Sequence, residues 1–402
     1  MVSVGKESKF VNIYSRAVHT GDRKKPGDHV PVTTPIHTAA SYFYEDIREA
    51  EAVFANERSG YVYARYDNPT NAALEELVTS LEGGAGTLAT SSGMAAIHIA
   101  LTAALLERPK SVLCATAIYG ATVRLLHSVL EPFGVEINFV DICDLEAVRK
   151  KVEATKPGAI LMETVSNPVL RVGELDKIAE MAKAAGAALV VDNTFTTPLL
   201  VRPLEWGANI VVHSATKYLS GHGDVLGGFV TSDAEHYQSI RALSRAYGPT
   251  MGPFEAYLSM RGIKTFPLRM ERQCQNAIQV AAWLRQQPGV ERVFFTDDPA
   301  HPEAEVIKRL MPNGLYGAML AFELRDAGRE QVYDFMNRLK LIVPATSLGD
   351  VHTMMLYPVM ASHRDLSPKQ RERMGIRENL VRLSVGIECV DDIKADLAQA
   401  LR

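Results

Sequence analysis

Between Thr87 and Ser214 the chain repeats one device, a short apolar run followed by a stretch with helical spacing. TLAT leads into a helix near Met94 and SVLCA into a helix past Tyr119, and VEINFV, GAILME, ALVVD and NIVVHS follow in turn. Apolar runs of this length read as buried strands. Strands alternating with helices predict an α/β fold with a mainly parallel central sheet, covered on both faces. In open sheets of this kind ligands collect in the crevice beyond the carboxyl ends of the strands. The residues just after each run are therefore the ones to search for chemistry.

The chain has 402 residues, more than one small core accommodates, so two domains are expected. Residues 1–60 are irregular until the EDIREAEAVF segment and read as an arm that embraces a neighbouring subunit. Residues 61–256 hold the alternating pattern and its chemistry. They include an amphipathic helix carrying Leu74, Leu77, Val78 and Leu81, ended by Gly83-Gly84. A long helical region from about Glu255 to Gln287 stops at Pro288-Gly289. Residues 257–402 read as a smaller C-terminal α/β domain, with strands at GAMLAFEL and LVRLSVG.

The formal charge of -4 and the lack of any Lys/Arg block argue against nucleic acid or an anionic membrane as partner. MVSVGKESKFVNIYS has no apolar export region, and no apolar stretch reaches the roughly 20 residues that span a bilayer. Cys114, Cys143, Cys274 and Cys389 lack metal-like spacing, and Cys114 sits in an apolar run. A cytoplasmic protein with reduced structural thiols is expected, with no bound metal.

The chemistry gathers where expected. In VVHSATKYLSGHGD a strand ends and Ser214, Thr216 and Lys217 follow in a glycine-rich loop. Partial burial lowers a lysine's pKa, and a neutral amine condenses with an aldehyde, while the two hydroxyls suit phosphate oxygens. An ordinary solvated lysine is the plain alternative. Asp192 closes ALVVD, where a carboxylate can hold the pyridine nitrogen of pyridoxal phosphate (PLP) protonated and make the ring an electron sink, or can simply shape a turn. In TLATSSGMAAI a strand runs through Ser91, Ser92 and Gly93 into a helix, a phosphate site or a Ser N-cap, with Met94 as a packing residue. Tyr119 can stack on a ring and handle protons, or pack in a core. Of Glu163 and Asn167, one can support the site and the other can donate to the phenolic oxygen of the cofactor. Arg382, inside the apolar run LVRLSVG, needs a partner, either a substrate carboxylate or a structural one.

With YVYARYDNPTNAALE, SSGMAAI, ETVSNP, VVDNTF, SATKYLSGHGDVLGG, MRGIKTF, TSLGD and RLSVGIE in this order, the chain resembles the Cys/Met-metabolism family of fold-type I PLP enzymes from about Pro31 onward. The resemblance implies that Lys217 joins the cofactor aldehyde, Asp192 pairs with the pyridine nitrogen and Tyr119 stacks on the ring. It assigns the phosphate to Gly93, Met94, Ser214 and Thr216, and places Tyr63 and Arg65 at the phosphate of the adjacent subunit. Ser347 and Arg382 match the grip on the substrate carboxylate. Shared sites imply a homodimer at least, and the family commonly forms homotetramers.

The activity implied is γ-elimination on methionine, homocysteine or cystathionine, with γ-replacement on homoserine esters as the rival. Three positions bear on that choice. Thr346 stands where cystathionine-handling members often carry a glutamate. Asp350 is like the methionine lyases. Ala121 stands where those lyases typically have a cysteine.

Overall fold

The computed structural model describes residues 12–24, 29–362, 364 and 367–402. Each apolar run singled out above forms a strand: β1 is Gly86–Thr90, β2 Ser111–Ala115, β3 Glu136–Val140, β4 Ala159–Glu163, β5 Ala188–Asp192 and β6 Ile210–Ser214. A further strand, β7, spans Gly228–Ser232. The seven form one sheet in the order β1-β7-β6-β5-β4-β2-β3. The strands from β2 to β6 pair in parallel, while β7 runs antiparallel to both β1 and β6. The sheet is thus mainly parallel, and β7 reverses direction inside it.

Alternation along the strands sends successive side chains to opposite faces. Val190, Ile210 and Val212 pack against the helix Gly93–Ala104, whose Ile97, Ala100 and Leu101 belong to the same apolar cluster. Val191 and Val211 face the other way, into a cluster with Leu74, Leu77, Val78 and Leu81 from the helix Pro69–Glu82. That cluster continues into the second half of the chain.

There β8 (Val290–Phe294), β9 (Met319–Leu324), β10 (Val343–Pro344), β11 (Met354–Leu356) and β12 (Leu380–Ser384) form a second sheet, ordered β10-β11-β12-β9-β8. Phe322, Leu320 and Leu383 share one apolar cluster with Val191 and Val211, so the two sheets rest on continuous packing. This is the smaller C-terminal α/β unit expected from the sequence.

Three differences from the expectation have local causes. The helical region from Glu255 to Gln287 is two helices, Pro253–Ile263 and Phe266–Leu284. Pro267 falls in the first turn of the second, where its missing N–H costs nothing. The arm contains a helix at Ile13–His19, capped by Asn12, besides the expected one at Ile47–Phe54, capped by Asp46. β7 opens on the second glycine of the pair Gly227-Gly228 and was absorbed in sequence by the loop that carries Lys217. Cys114 and Cys274 are buried thiols, Cys389 is exposed, and all four cysteines are free. Among the described residues no helix is long and apolar enough to cross a membrane.

Candidate cofactor and substrate site

The carboxyl ends of β4, β5 and β6 deliver Glu163, Asp192 and Ser214. β1 and β2 lead on into Ser91 and Tyr119. Glu163 and Asp192 face each other in register on adjacent strands, which places two carboxylates side by side in a buried setting. Burial, then the charge of Asp192, pushes Glu163 up to about 8. Asp192 is likewise raised, chiefly by burial.

Glu163 braces the site. Its Oε1 accepts the Tyr119 N–H at 2.8 Å and its Oε2 accepts the Asn167 N–H at 3.1 Å. The main chain of Tyr119 is therefore fixed while its side chain stays 41% exposed, free to meet a ligand. Asn167 turns its side-chain carbonyl to Arg382, which donates through Nη1 at 3.0 Å.

Lys217 sits in the turn after β6, where its N–H donates to the Ser214 carbonyl at 3.2 Å. Burial, helped by the positive charge of Arg382, pushes its amine down to about 8. The Nζ donates to Ser347 Oγ at 3.0 Å, and Arg382 Nη2 donates to the carbonyl of the same Ser347 at 3.2 Å. Lys217, Ser347, Arg382, Asn167, Glu163 and Tyr119 thus form one connected set. Arg382 is buried and its guanidinium is pushed down to about 10 by that burial. Its Nε has no partner among the described residues.

On the other side of the lysine, Thr194 ties Asp192 to Ser214. It donates to Asp192 Oδ1 through its N–H at 3.0 Å and its hydroxyl at 2.6 Å, and the hydroxyl oxygen accepts the Ser214 N–H at 2.9 Å. Ser92 caps the following helix by accepting the Ala95 N–H at 3.1 Å, which leaves the N–H groups of Gly93 and Met94 outside the helical ladder. A Cβ on Gly93 would lie 3.0 to 3.1 Å from Ser214, so glycine is what lets the two loops close on each other. Thr216 Oγ1 accepts the Gly227 N–H at 3.1 Å. The side chain of Met94 packs against the apolar cluster, as a packing residue should.

Tyr63 and Arg65 stand apart. Among the described residues Arg65 lies over the rings of Tyr63 and Tyr66 and donates to the carbonyl of Arg245. Within a single chain these contacts do not join them to the lysine turn.

Two residues absent from the sequence reading also shape the site. Thr194 was one hydroxyl among several in DNTFTTP. Arg269, buried in the helix Phe266–Leu284, donates to the carbonyls of Tyr218 at 2.9 Å, Leu219 at 3.1 Å and Gly262 at 3.0 Å, and so fixes the end of the lysine turn. Its signal was a charge on the apolar stripe that Phe266, Met270, Cys274 and Ala277 define.

The pocket fits PLP. Both donors to Asp192 reach the same oxygen, leaving the second carboxylate oxygen of this half-buried acid for a ring N–H. The depressed amine of Lys217 suits an aldehyde, the free N–H groups at Gly93 and Met94 suit a phosphate, and the unpartnered Nε of Arg382 suits a carboxylate. A mainly parallel sheet with these groups at its strand ends defines a PLP-dependent enzyme of fold type I.

Comparison with known proteins carries the assignment further. The profile of the Cys/Met metabolism PLP-dependent enzymes matches residues 14–402. An O-succinylhomoserine sulfhydrylase of Pseudomonas aeruginosa is 38% identical over 388 residues, 96% of this chain and 94% of that one. An L-methionine gamma-lyase of Pseudomonas putida is 40% identical over 402 residues, 98% of each chain. Among solved structures, cystathionine gamma synthase from Xanthomonas oryzae pv. oryzae, in complex with aminoacrylate and cysteine, aligns with a TM-score of 0.90 at 34% identity, covering 97% of each chain. The chain belongs to the Cys/Met metabolism family of PLP-dependent enzymes.

Proposed function

We propose that this protein is a carbon-sulfur lyase that performs γ-elimination on methionine, homocysteine or cystathionine, releasing 2-oxobutanoate, ammonia and a thiol. One observation carries the reading: the amine of Lys217 and the guanidinium of Arg382 meet on the same residue, Ser347. An amino acid held by its carboxylate on Arg382 and Ser347 has its Cα beside the amine that must take its proton. When bound, PLP supplies an aldehyde for amines and a ring that accepts electron density from the substrate's Cα.

The protein's part is positioning and proton transfer. Lys217 would hold the cofactor through its amine and, once free, its Nζ would take the substrate's Cα proton and move one from Cβ. Tyr119, anchored by its main chain to Glu163, would stack on the ring and donate a proton to the departing sulfur. Asp192 would keep the pyridine nitrogen protonated, and Asn167 would serve the phenolic oxygen. Gly93, Met94, Ser214 and Thr216 hold the phosphate.

Tyr63 and Arg65 reach the phosphate of a second subunit, which makes the protein a dimer at least and a homotetramer by the habit of its family. Exposed Phe43, Ile47 and Phe54 on the arm, at 89%, 79% and 60%, are surfaces suited to that contact. The chain divides into the arm to residue 60, the PLP domain to 256 and the C-terminal domain beyond, and it works in the cytoplasm.

The test supplies purified protein with L-methionine, L-homocysteine and L-cystathionine alone, then with homoserine esters plus sulfide or cysteine. Ammonia, 2-oxoacid and thiol are measured together. 2-Oxobutanoate formed without an acceptor thiol supports the lyase. A product that forms only from an acyl ester plus thiol overturns it in favour of γ-replacement.

A further inference from the structure

One buried pair of titratable side chains takes no part in the site described above. Glu82, at the end of the helix Pro69–Glu82, is fully buried, and His213, the fourth residue of β6, is 1% exposed. His213 Nε2 contacts Glu82 Oε1, and the same oxygen accepts Asn193 Nδ2 at 3.3 Å. Asn193 is held further, by donating to the Val201 carbonyl at 2.9 Å and by accepting the Thr164 hydroxyl at 2.7 Å.

The position of this cluster gives it meaning. Along β6, His213 shares a face with Val211, whereas Val212 and Ser214 point to the opposite one. Along β5, Asp192 falls on the face of Val190. Glu82 and His213 thus lie beneath the sheet and the cofactor residues above it. Each partner of Glu82 is also the chain neighbour of a site residue: Asn193 follows Asp192, and His213 precedes Ser214.

Stability alone does not account for the pair. Glu82 Oε2 and His213 Nδ1 are both buried without a hydrogen-bond partner among the described residues, an arrangement that works against folding. What it does achieve is to fasten the ends of β5 and β6 to one carboxylate, and so to set the spacing between the acid that meets the ring nitrogen and the hydroxyl that meets the phosphate.

We infer that Glu82 and His213 are positioning residues, a brace beneath the sheet that fixes the separation of Asp192 and Ser214 and hence the seating of PLP. The inference rests on the assignment of Asp192 and Ser214 to the cofactor. Neither residue of the brace touches the reacting atoms.

The experiment compares Glu82→Ala, Glu82→Gln and wild type, each as apoprotein titrated with PLP. It reads the dissociation constant by equilibrium dialysis, the visible absorption band of the bound cofactor and the melting temperature. A loosened acid and hydroxyl should weaken PLP binding roughly tenfold or more in Glu82→Ala and displace its absorption band. Glu82→Gln keeps an oxygen acceptor for Asn193 and His213 and should return to within about threefold of wild type. A Glu82→Ala protein that melts earlier yet binds PLP with wild-type affinity and an unmoved band overturns the inference. Should Glu82→Ala not fold, His213→Phe, which removes the donor at similar volume, is read by the same criteria. A wild-type protein that bound no PLP at all would overturn the cofactor assignment itself, a failure distinct from one confined to the variants.

Discussion

Apoprotein stripped of its cofactor should capture added PLP at a rate that climbs with pH through an inflection near 8 and levels off about one to two pH units higher. The reacting form of Lys217 is the neutral amine, and burial with the nearby Arg382 charge brings its pKa from 10.5 to about 8. At about pH 7.5 roughly one-quarter of such an amine is neutral, against about one-thousandth of an ordinary lysine, so the pocket gains on the order of 200-fold in reactive amine. The same depression opposes folding of the apoprotein. A folded-state pKa below the ordinary value disfavours the charged form, so the penalty is fully present below about 8 and disappears as pH rises toward 10.5. It amounts to about 3 kcal/mol. The assay is stopped-flow absorbance of PLP capture between about pH 6 and 10, repeated on Arg382→Met. Removing the guanidinium takes away the second cause and should move the inflection upward from about 8, with burial keeping it below that of free lysine. A wild-type rate still rising steeply above about pH 9.5, or an inflection that Arg382→Met leaves in place, would refute the reasoning.

Asp192→Asn should lower kcat/KM by about 100-fold or more, because an amide does not hold a ring N–H in its charged form, while the fold by circular dichroism stays intact. Gly93→Ala should weaken PLP binding with little loss of secondary structure, since its Cβ would press on Ser214 at 3.0 to 3.1 Å, and fluorescence titration measures it. Arg269→Met should leave three main-chain carbonyls at the lysine turn without their donor and destabilise the protein by roughly 3 kcal/mol, read from denaturant midpoints. Wild-type stability should also lose the contribution of Glu163 as pH rises. Its carboxyl is raised in the folded state, so the benefit is complete below about 4.5 and is lost through about 8, which a pH series of melts follows.

The strand ends were legible because a buried parallel strand reads as a nearly unbroken apolar run, as β2, β4, β5 and β6 do. Asp192, Ser214 and Lys217 could be singled out since polar residues directly after such runs fall in the crevice of the sheet. β7 was hidden by glycines on its leading side, and the alternating pattern of VERVF concealed β8 as half-exposed. The break at Lys264-Thr265 was lost because periodicity on both sides continues the same apolar stripe. That one of Glu163 and Asn167 could support the site was legible, but the means was not, for Glu163 works through main-chain N–H groups of Tyr119 and Asn167 that no residue type announces. Arg269, Glu82 and His213 did leave a trace, each being an ionisable group on an apolar stripe or run, a pattern already used to single out Arg382.

The reversed strand β7 separates β1 from β6, yet the loops leaving those two strands build the proposed phosphate seat together. Gly228 opens β7 at their junction, and a Cβ there would lie 2.8 Å from the Cα of Gly93 and closer still to the Ser92 carbonyl. The anion cradle is therefore a three-layer sandwich whose middle layer must be bare backbone. A methyl group added at Gly228, on a strand that offers nothing to the ligand, would wedge its two walls apart.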